Sequence, residues 1–162
     1  MKGVREPLLW IALASLATCL PFPHVAIPTC AALALSLQLL SRTRLGALVR
    51  PSLRIAAISA WVAFGLNALL LTPLAAADLR LAILSVPLAL LALTNALRRM
   101  ARIGATEDDE QWFSAVQLLF AGAVVVGFLR IDIAFAVQFL TGPVLAYRVL
   151  QFRRQFPLET AR

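Results

Sequence analysis

The sequence predicts an all-α fold, a polytopic bundle of transmembrane helices, on three observations. Of 162 residues, 61% are apolar and 14% charged, with a mean hydropathy of +0.86; a soluble domain runs at roughly 45–50% and about 25%. The apolar residues form continuous runs without the alternation that a membrane β-barrel requires. The basic residues gather between those runs, thirteen at one set of alternate joints and two at the other. A soluble enzyme, a disordered chain and a disulfide-stapled secreted module are excluded. The formal charge of +7 then reports topology and anionic headgroups rather than nucleic acid.

Six spans are predicted, in chain order. The first, 8–20, extends only about 20 Å at about 1.5 Å per residue, against a hydrocarbon core of about 30 Å. It turns through Pro21, Phe22 and Pro23 into the second, 25–40. This short pair admits two arrangements, two full spans or a re-entrant hairpin beside four spans. The third and fourth, 55–77 and 81–97, turn around Asp78 and Arg80; the fifth and sixth, 113–129 and 133–150, turn around Arg130 and Asp132. Three hairpins result, within one integral-membrane domain covering 1–162.

The distribution of charge orients them. Lys2 and Arg5 precede the first span; Arg42, Arg44, Arg50 and Arg54 separate the second from the third; Arg98, Arg99 and Arg102 follow the fourth; Arg148, Arg153, Arg154 and Arg162 close the chain. Only Arg80 and Arg130 fall on the other side. By the positive-inside rule both termini are cytoplasmic, in a multi-pass protein of a bacterial inner membrane. The stretch ending in Thr18 and Cys19 resembles a lipoprotein leader, but such a cysteine wants Gly, Ala or Ser before it. A retained first helix is expected.

Four groups of residues carry chemistry worth weighing. Asp78, Arg80, Arg130 and Asp132 lie in two outer turns, where Asp78 with Arg130, or Arg80 with Asp132, would clamp the hairpins as ion pairs. A substrate or ion site is the other use of the same charges. His24, the single histidine, offers an axial ligand for a haem or chlorophyll metal or a proton relay, against the plainer role of a polar turn residue. Cys19 and Cys30 either pair outside the cytoplasm or serve as small buried residues. Glu107, Asp108, Asp109 and Glu110 are contiguous, unlike spaced metal ligands, and Thr106 with Asp109 fits a capping box at the start of the fifth helix. Trp112 follows as an interfacial anchor.

The remaining polar residues of the spans, Asn67, Asn95, Gln117 and Gln138 among them, are not ionisable, which disfavours an ion pump. Ala56 with Ala60, and Ala123 with Gly127, have the spacing that lets helices approach closely. The closing RVLQFRRQF places Arg148, Arg153 and Arg154 where a basic interfacial helix would meet anionic lipid or a partner. No constellation for nucleophilic catalysis, phosphate cradling or metal hydrolysis stands out, so no catalytic or metal residues are assigned. No cofactor is indicated beyond bound lipid or pigment, and nucleic acid is not an expected partner.

The opening REPLLWIALASLATCLPFPHVAIP, the basic joint RTRLGALVRPSLR and the stretch DDEQWFSAVQLLFAGAVVVGFLRIDIAFAVQFL resemble the membrane domain of bacterial TgpA-type transglutaminase-like proteins. That family joins such a domain to a periplasmic catalytic domain with Cys, His and Asp. The resemblance spans about residues 5–155 and implies the membrane portion alone, without transglutaminase or protease activity of its own.

The expected function is that of a noncatalytic membrane subunit or scaffold packed against other integral membrane proteins, in one version an accessory subunit of a pigment-bearing or redox complex. The alternative is an oligomeric small-solute transporter or channel, in which Asn67, Asn95, Gln117 and Gln138 would converge on a cavity. A membrane enzyme would need Asp78, Asp132 or His24 to converge at the outer face.

Overall fold

The computed structural model describes residues 3–18, 20, 22–71, 79–104 and 107–156, and every regular element among them is an α-helix. Helix α1 (Arg5–Ala17) leads into α2 (Pro23–Leu40), which opens on a proline. Proline suits the first turn because its φ is preset and its missing N–H would have no partner there. A five-residue helix, α3 (Arg44–Leu48), follows a tight corner. The Thr43 hydroxyl holds this corner from both sides, donating to the Leu40 carbonyl at 2.7 Å and accepting from the Gly46 N–H at 3.0 Å.

The remaining helices are long: α4 (Arg50–Leu69), α5 (Leu79–Ile103), α6 (Glu107–Gly127) and α7 (Ile131–Arg154). All four acidic residues 107–110 lie in the first turn of α6, and Arg153 and Arg154 in the last turn of α7. Both placements oppose the helix dipole with the favourable sign.

The helices close into a ring. α1 packs on α2, α2 on α4, α4 on α5, α5 on α6, α6 on α7, and α7 returns to α1. The last contact joins residues far apart in sequence: Arg153 Nε donates to the Arg5 carbonyl at 2.8 Å, and Gln138 Nε2 donates to the Thr18 carbonyl. α1 and α7 therefore run antiparallel, and both ends of α1 are fixed. Inside the ring Leu8, Ile11, Leu33, Leu37, Leu53, Leu90, Leu93, Phe113 and Phe120 are fully buried. Outside it, Leu118, Leu129 and Leu140 are 74%, 83% and 67% exposed, as suits helices apolar enough to cross a membrane.

Small residues set the spacing. Ala56 and Ala60 are buried on α4, and Ala123 and Gly127 on α6. A Cβ at Gly127 would come within 2.5 Å of Leu84 Cδ2 and 2.9 Å of Ala134 Cβ, so α5, α6 and α7 meet at this glycine.

The expectation of six spans is corrected to four. Among the described residues, Arg50–Leu69, Leu81–Ile103, Glu107–Gly127 and Ile131–Arg154 are long and apolar enough to cross a membrane. α1 has 13 residues, and the apolar helix His24–Leu40 is also below that length. The count falls because α1 and the helix His24–Leu40 are too short, although both carry apolar residues, among them Leu8, Ile11, Leu33, Leu37 and Leu40 in the protein core. These side chains are apolar because protein surrounds them, and hydropathy does not distinguish that solvent from lipid.

Boundaries also shift. The third predicted span began at 55, yet α4 starts at Arg50; the fourth ended at 97, yet α5 runs on through Arg98, Arg99 and Arg102 to Ile103. Arginine is a good helix former, so a charge boundary is not a helix boundary.

Candidate functional site

The antiparallel ring gathers residues near Arg5, Leu40 to Arg50, Ile103, Glu107 to Glu110 and Arg153 at one end, and residues near Thr18, Asn67, Ala82 and Gly127 to Asp132 at the other. The first end carries most of the arginines, and they divide by partner. Arg102 forms a 2.7 Å ion pair through Nη2 with Glu110, which Arg98 also approaches at 3.8 Å. Arg148 lies over the Trp112 ring at 5.4 Å and donates to Gln151 Oε1 at 3.2 Å. Arg153 is bound to the Arg5 carbonyl, and the buried Asp109 accepts from Gln155 Nε2 at 2.7 Å. Of the three arginines predicted to meet lipid or a partner, Arg148 and Arg153 are thus engaged within the bundle, and Arg154 is exposed.

Arg42, Arg50 and Arg54 share one groove. They are exposed and form no ion pair or side-chain hydrogen bond among the described residues. They line a groove of about 510 Å³ between the end of α2 and the start of α4, with Gln38 and Ser41 beside them and Leu37, Leu53, Ala57, Ile58 and Trp61 as its apolar wall. No acidic side chain lines it. Arg50, Arg54, Ile58 and Trp61 follow helical spacing, so one stripe of α4 changes from basic to apolar along the groove. This site was not predicted, although the i, i+4 arginine pair at the head of an apolar helix was a usable signal.

At the other end, Arg130 and Asp132 pair with each other inside their own turn, Nε to Oδ1 at 3.1 Å and Nη2 to Oδ2 at 2.9 Å. This two-pronged bond, then the charge itself, holds the Arg130 guanidinium above its ordinary pKa. Asp78 lies outside the described residues, as does the side chain of Arg80, so the cross-pairs proposed with them lie outside as well. Cys19 and Thr106 are likewise outside; Cys30 is buried in the core. His24 is exposed in the first turn of α2 and has no hydrogen-bond or ion-pair partner among the described residues.

The four amides do not converge. Asn67 Nδ2 donates to the Ala63 carbonyl at 2.8 Å and reaches the Ala82 carbonyl at 3.3 Å and Ser85 Oγ at 3.4 Å, tying α4 to α5. Asn67 and Gln138 share a cavity of about 20 Å³ with Thr18, Leu20 and Phe135, while Asn95 and Gln117 are not part of its lining. That volume holds about one water. Replacing Asn67 with leucine is expected to cost about 1 kcal/mol, the scale of an interhelical hydrogen bond in a membrane; unfolding in detergent checks it, and no loss would show that the clasp contributes nothing.

Among the described residues no group of three or more His, Cys, Asp and Glu side chains could hold a metal ion. The chain is thus a multi-pass, all-α membrane bundle in which, among the described residues, Arg42, Arg50 and Arg54 share a basic groove without an acidic lining residue, while the buried Arg5 Nε and Gln117 Oε1 lack a hydrogen-bond partner. Compared with known proteins, it matches no family model, no curated protein and no solved structure.

Proposed function

We propose that this protein is a noncatalytic membrane subunit that packs its lipid-facing helices against other integral membrane proteins, with the arginine-rich end in the cytoplasm. The observation that carries this reading is a shallow apolar hollow of about 470 Å³ on the outer flank of α4, lined by Val62, Gly65, Leu66, Ala68 and Leu69. A Cβ built at Gly65 meets nothing within 4 Å. In lipid, helices associate through close van der Waals packing, and a glycine among larger apolar residues lets a partner helix reach the backbone. The single-water cavity shared by Asn67 and Gln138 favours this reading over solute transport. The partition of thirteen basic residues against two supports the orientation. The proposed kinship with TgpA-type membrane domains carries no part of it.

The test is copurification from native membranes in mild detergent. The full chain is expected to retain stoichiometric foreign subunits, and an absorption spectrum of the same sample reports any pigment they bear. Gly65→Leu is expected to release those subunits while the isolated chain gains about 0.5–1 kcal/mol, because a helical glycine is replaced where nothing is crowded. Gly122→Leu on α6, equally open, should keep them. A monodisperse monomer without a partner would overturn the proposal, and so would full retention by Gly65→Leu.

A further inference from the structure

From the groove between α2 and α4 we infer a discrete binding site for one anionic glycerophospholipid, its phosphate held by Arg42, Arg50 and Arg54 and an acyl chain laid against Ile58 and Trp61. Three features point to this ligand. First, uncompensated charge is concentrated there: Arg98, Arg102, Arg130, Arg148 and Arg153 find a carboxylate, ring, amide or carbonyl partner within the chain, Arg44, Arg99 and Arg154 are exposed outside the groove, and the three groove arginines share one groove with no ion pair or side-chain hydrogen bond among the described residues. Guanidinium groups match phosphate oxygens in a planar, two-pronged geometry, so a phosphodiester fits the vacant donors.

Second, the site is amphipathic along one axis. Arg50 opens α4, Arg54 follows one turn later, and Ile58 and Trp61 continue the same stripe, 62% and 37% exposed. From Arg50 to Trp61 the helix rises roughly 16 Å at about 1.5 Å per residue, the direction a lipid takes from headgroup into hydrocarbon. A free phosphate or an acidic peptide would use the arginines and leave this apolar wall without an occupant.

Third, depth agrees with chemistry. α4 is one of the helices able to cross a membrane, and its first residue is Arg50. The arginines therefore sit at a helix end, where long basic side chains reach the interface and basic pockets between helices bind anionic headgroups. The groove, of about 510 Å³, exceeds what a headgroup phosphate alone would fill.

The experiment compares lipid retained by the full-length protein after exchange into micelles doped with phosphatidylglycerol or phosphatidylcholine, read by native mass spectrometry. The wild type is expected to hold one phosphatidylglycerol in preference to phosphatidylcholine. Arg42→Gln, Arg50→Gln and Arg54→Gln together should weaken that binding by about a hundredfold, and each alone by about fivefold. Arg99→Gln with Arg154→Gln, exposed arginines outside the groove, should leave it unchanged. Trp61→Ala should weaken retention while preserving the preference for the anionic lipid. If the triple glutamine variant does not fold, the triple lysine variant keeps the charge and removes the two-pronged donor, and it should bind more weakly than wild type. Equal retention by the groove variants, equal loss in the Arg99 and Arg154 control, or displacement of the lipid by millimolar inorganic phosphate would each overturn the assignment. The last result would mark a phosphate site without a lipid component.

Discussion

Phe152→Ala is expected to destabilise the bundle by about 3–5 kcal/mol, the scale of deleting a fully buried aromatic side chain. Phe152 is 1% exposed and meets Phe113 edge to face at 5.8 Å and Phe156 at 5.1 Å. Trp112 extends the stack from Phe113 at 5.5 Å, beneath the Arg148 guanidinium. The next residue, Arg153, makes the hydrogen bond that returns α7 to α1. A cavity at Phe152 therefore opens the seam between α6 and α7, next to the residue that ties α7 to α1, and the aromatic geometry adds to the loss of contact area. Equilibrium unfolding in detergent measures the effect. Phe139→Ala is the control, since Phe139 lies on the same helix but is 61% exposed to the lipid side. Equal losses in the two variants would show that the aromatic seam is not a stabilising element.

Gly46→Ala is expected to break the corner between α2 and α4. An added Cβ would lie 1.9 Å from the Leu40 carbonyl oxygen and 2.7 Å from its carbon. Those are backbone atoms at the end of α2, so no rotamer change relieves the overlap. α3 must move away, and the Thr43 hydroxyl loses its place between Leu40 and Gly46. The cost is expected at or above the upper end of about 1–3 kcal/mol for overpacking, with a lost cap worth about 1 kcal/mol more. Limited proteolysis should then cut the 41–49 joint faster. Gly104→Ala provides the contrast, because its nearest neighbours would be at 3.5 and 3.6 Å, ordinary contact distances. A Gly46→Ala protein as resistant as the Gly104→Ala protein would refute the account.

Much of the secondary structure was legible because each long helix has its own apolar run, and hydropathy is a sum over neighbours in sequence. The acidic start of α6 was legible too, since the dipole acts over a single turn. What escaped depends on other helices. α3 and Gly46 escaped because the close approach involves a carbonyl six residues away, in a different helix. The arginine groove escaped because a count of basic residues gives the same weight to Arg102, paired to Glu110, and to Arg54, which has no such partner among the described residues. Asn67 and Gln138 were visible as interhelical candidates, but their actual partners, Ala82, Ser85 and Thr18, were not.

By itself the sequence determined that this chain is helical and meant for lipid, because 61% apolar residues in unbroken runs leave no other way to satisfy the backbone. It also placed the arginines at helix ends, where charge stays near water. The helix lengths then chose four crossing helices over six, and only the tertiary structure decided that α7 closes the ring on α1 and which arginines share a groove without a counter-charge. The physical reason is the same in each case. Hydropathy records how strongly a residue avoids water, whereas protein and lipid satisfy that avoidance equally well, and only the packing of distant segments shows which of the two surrounds it.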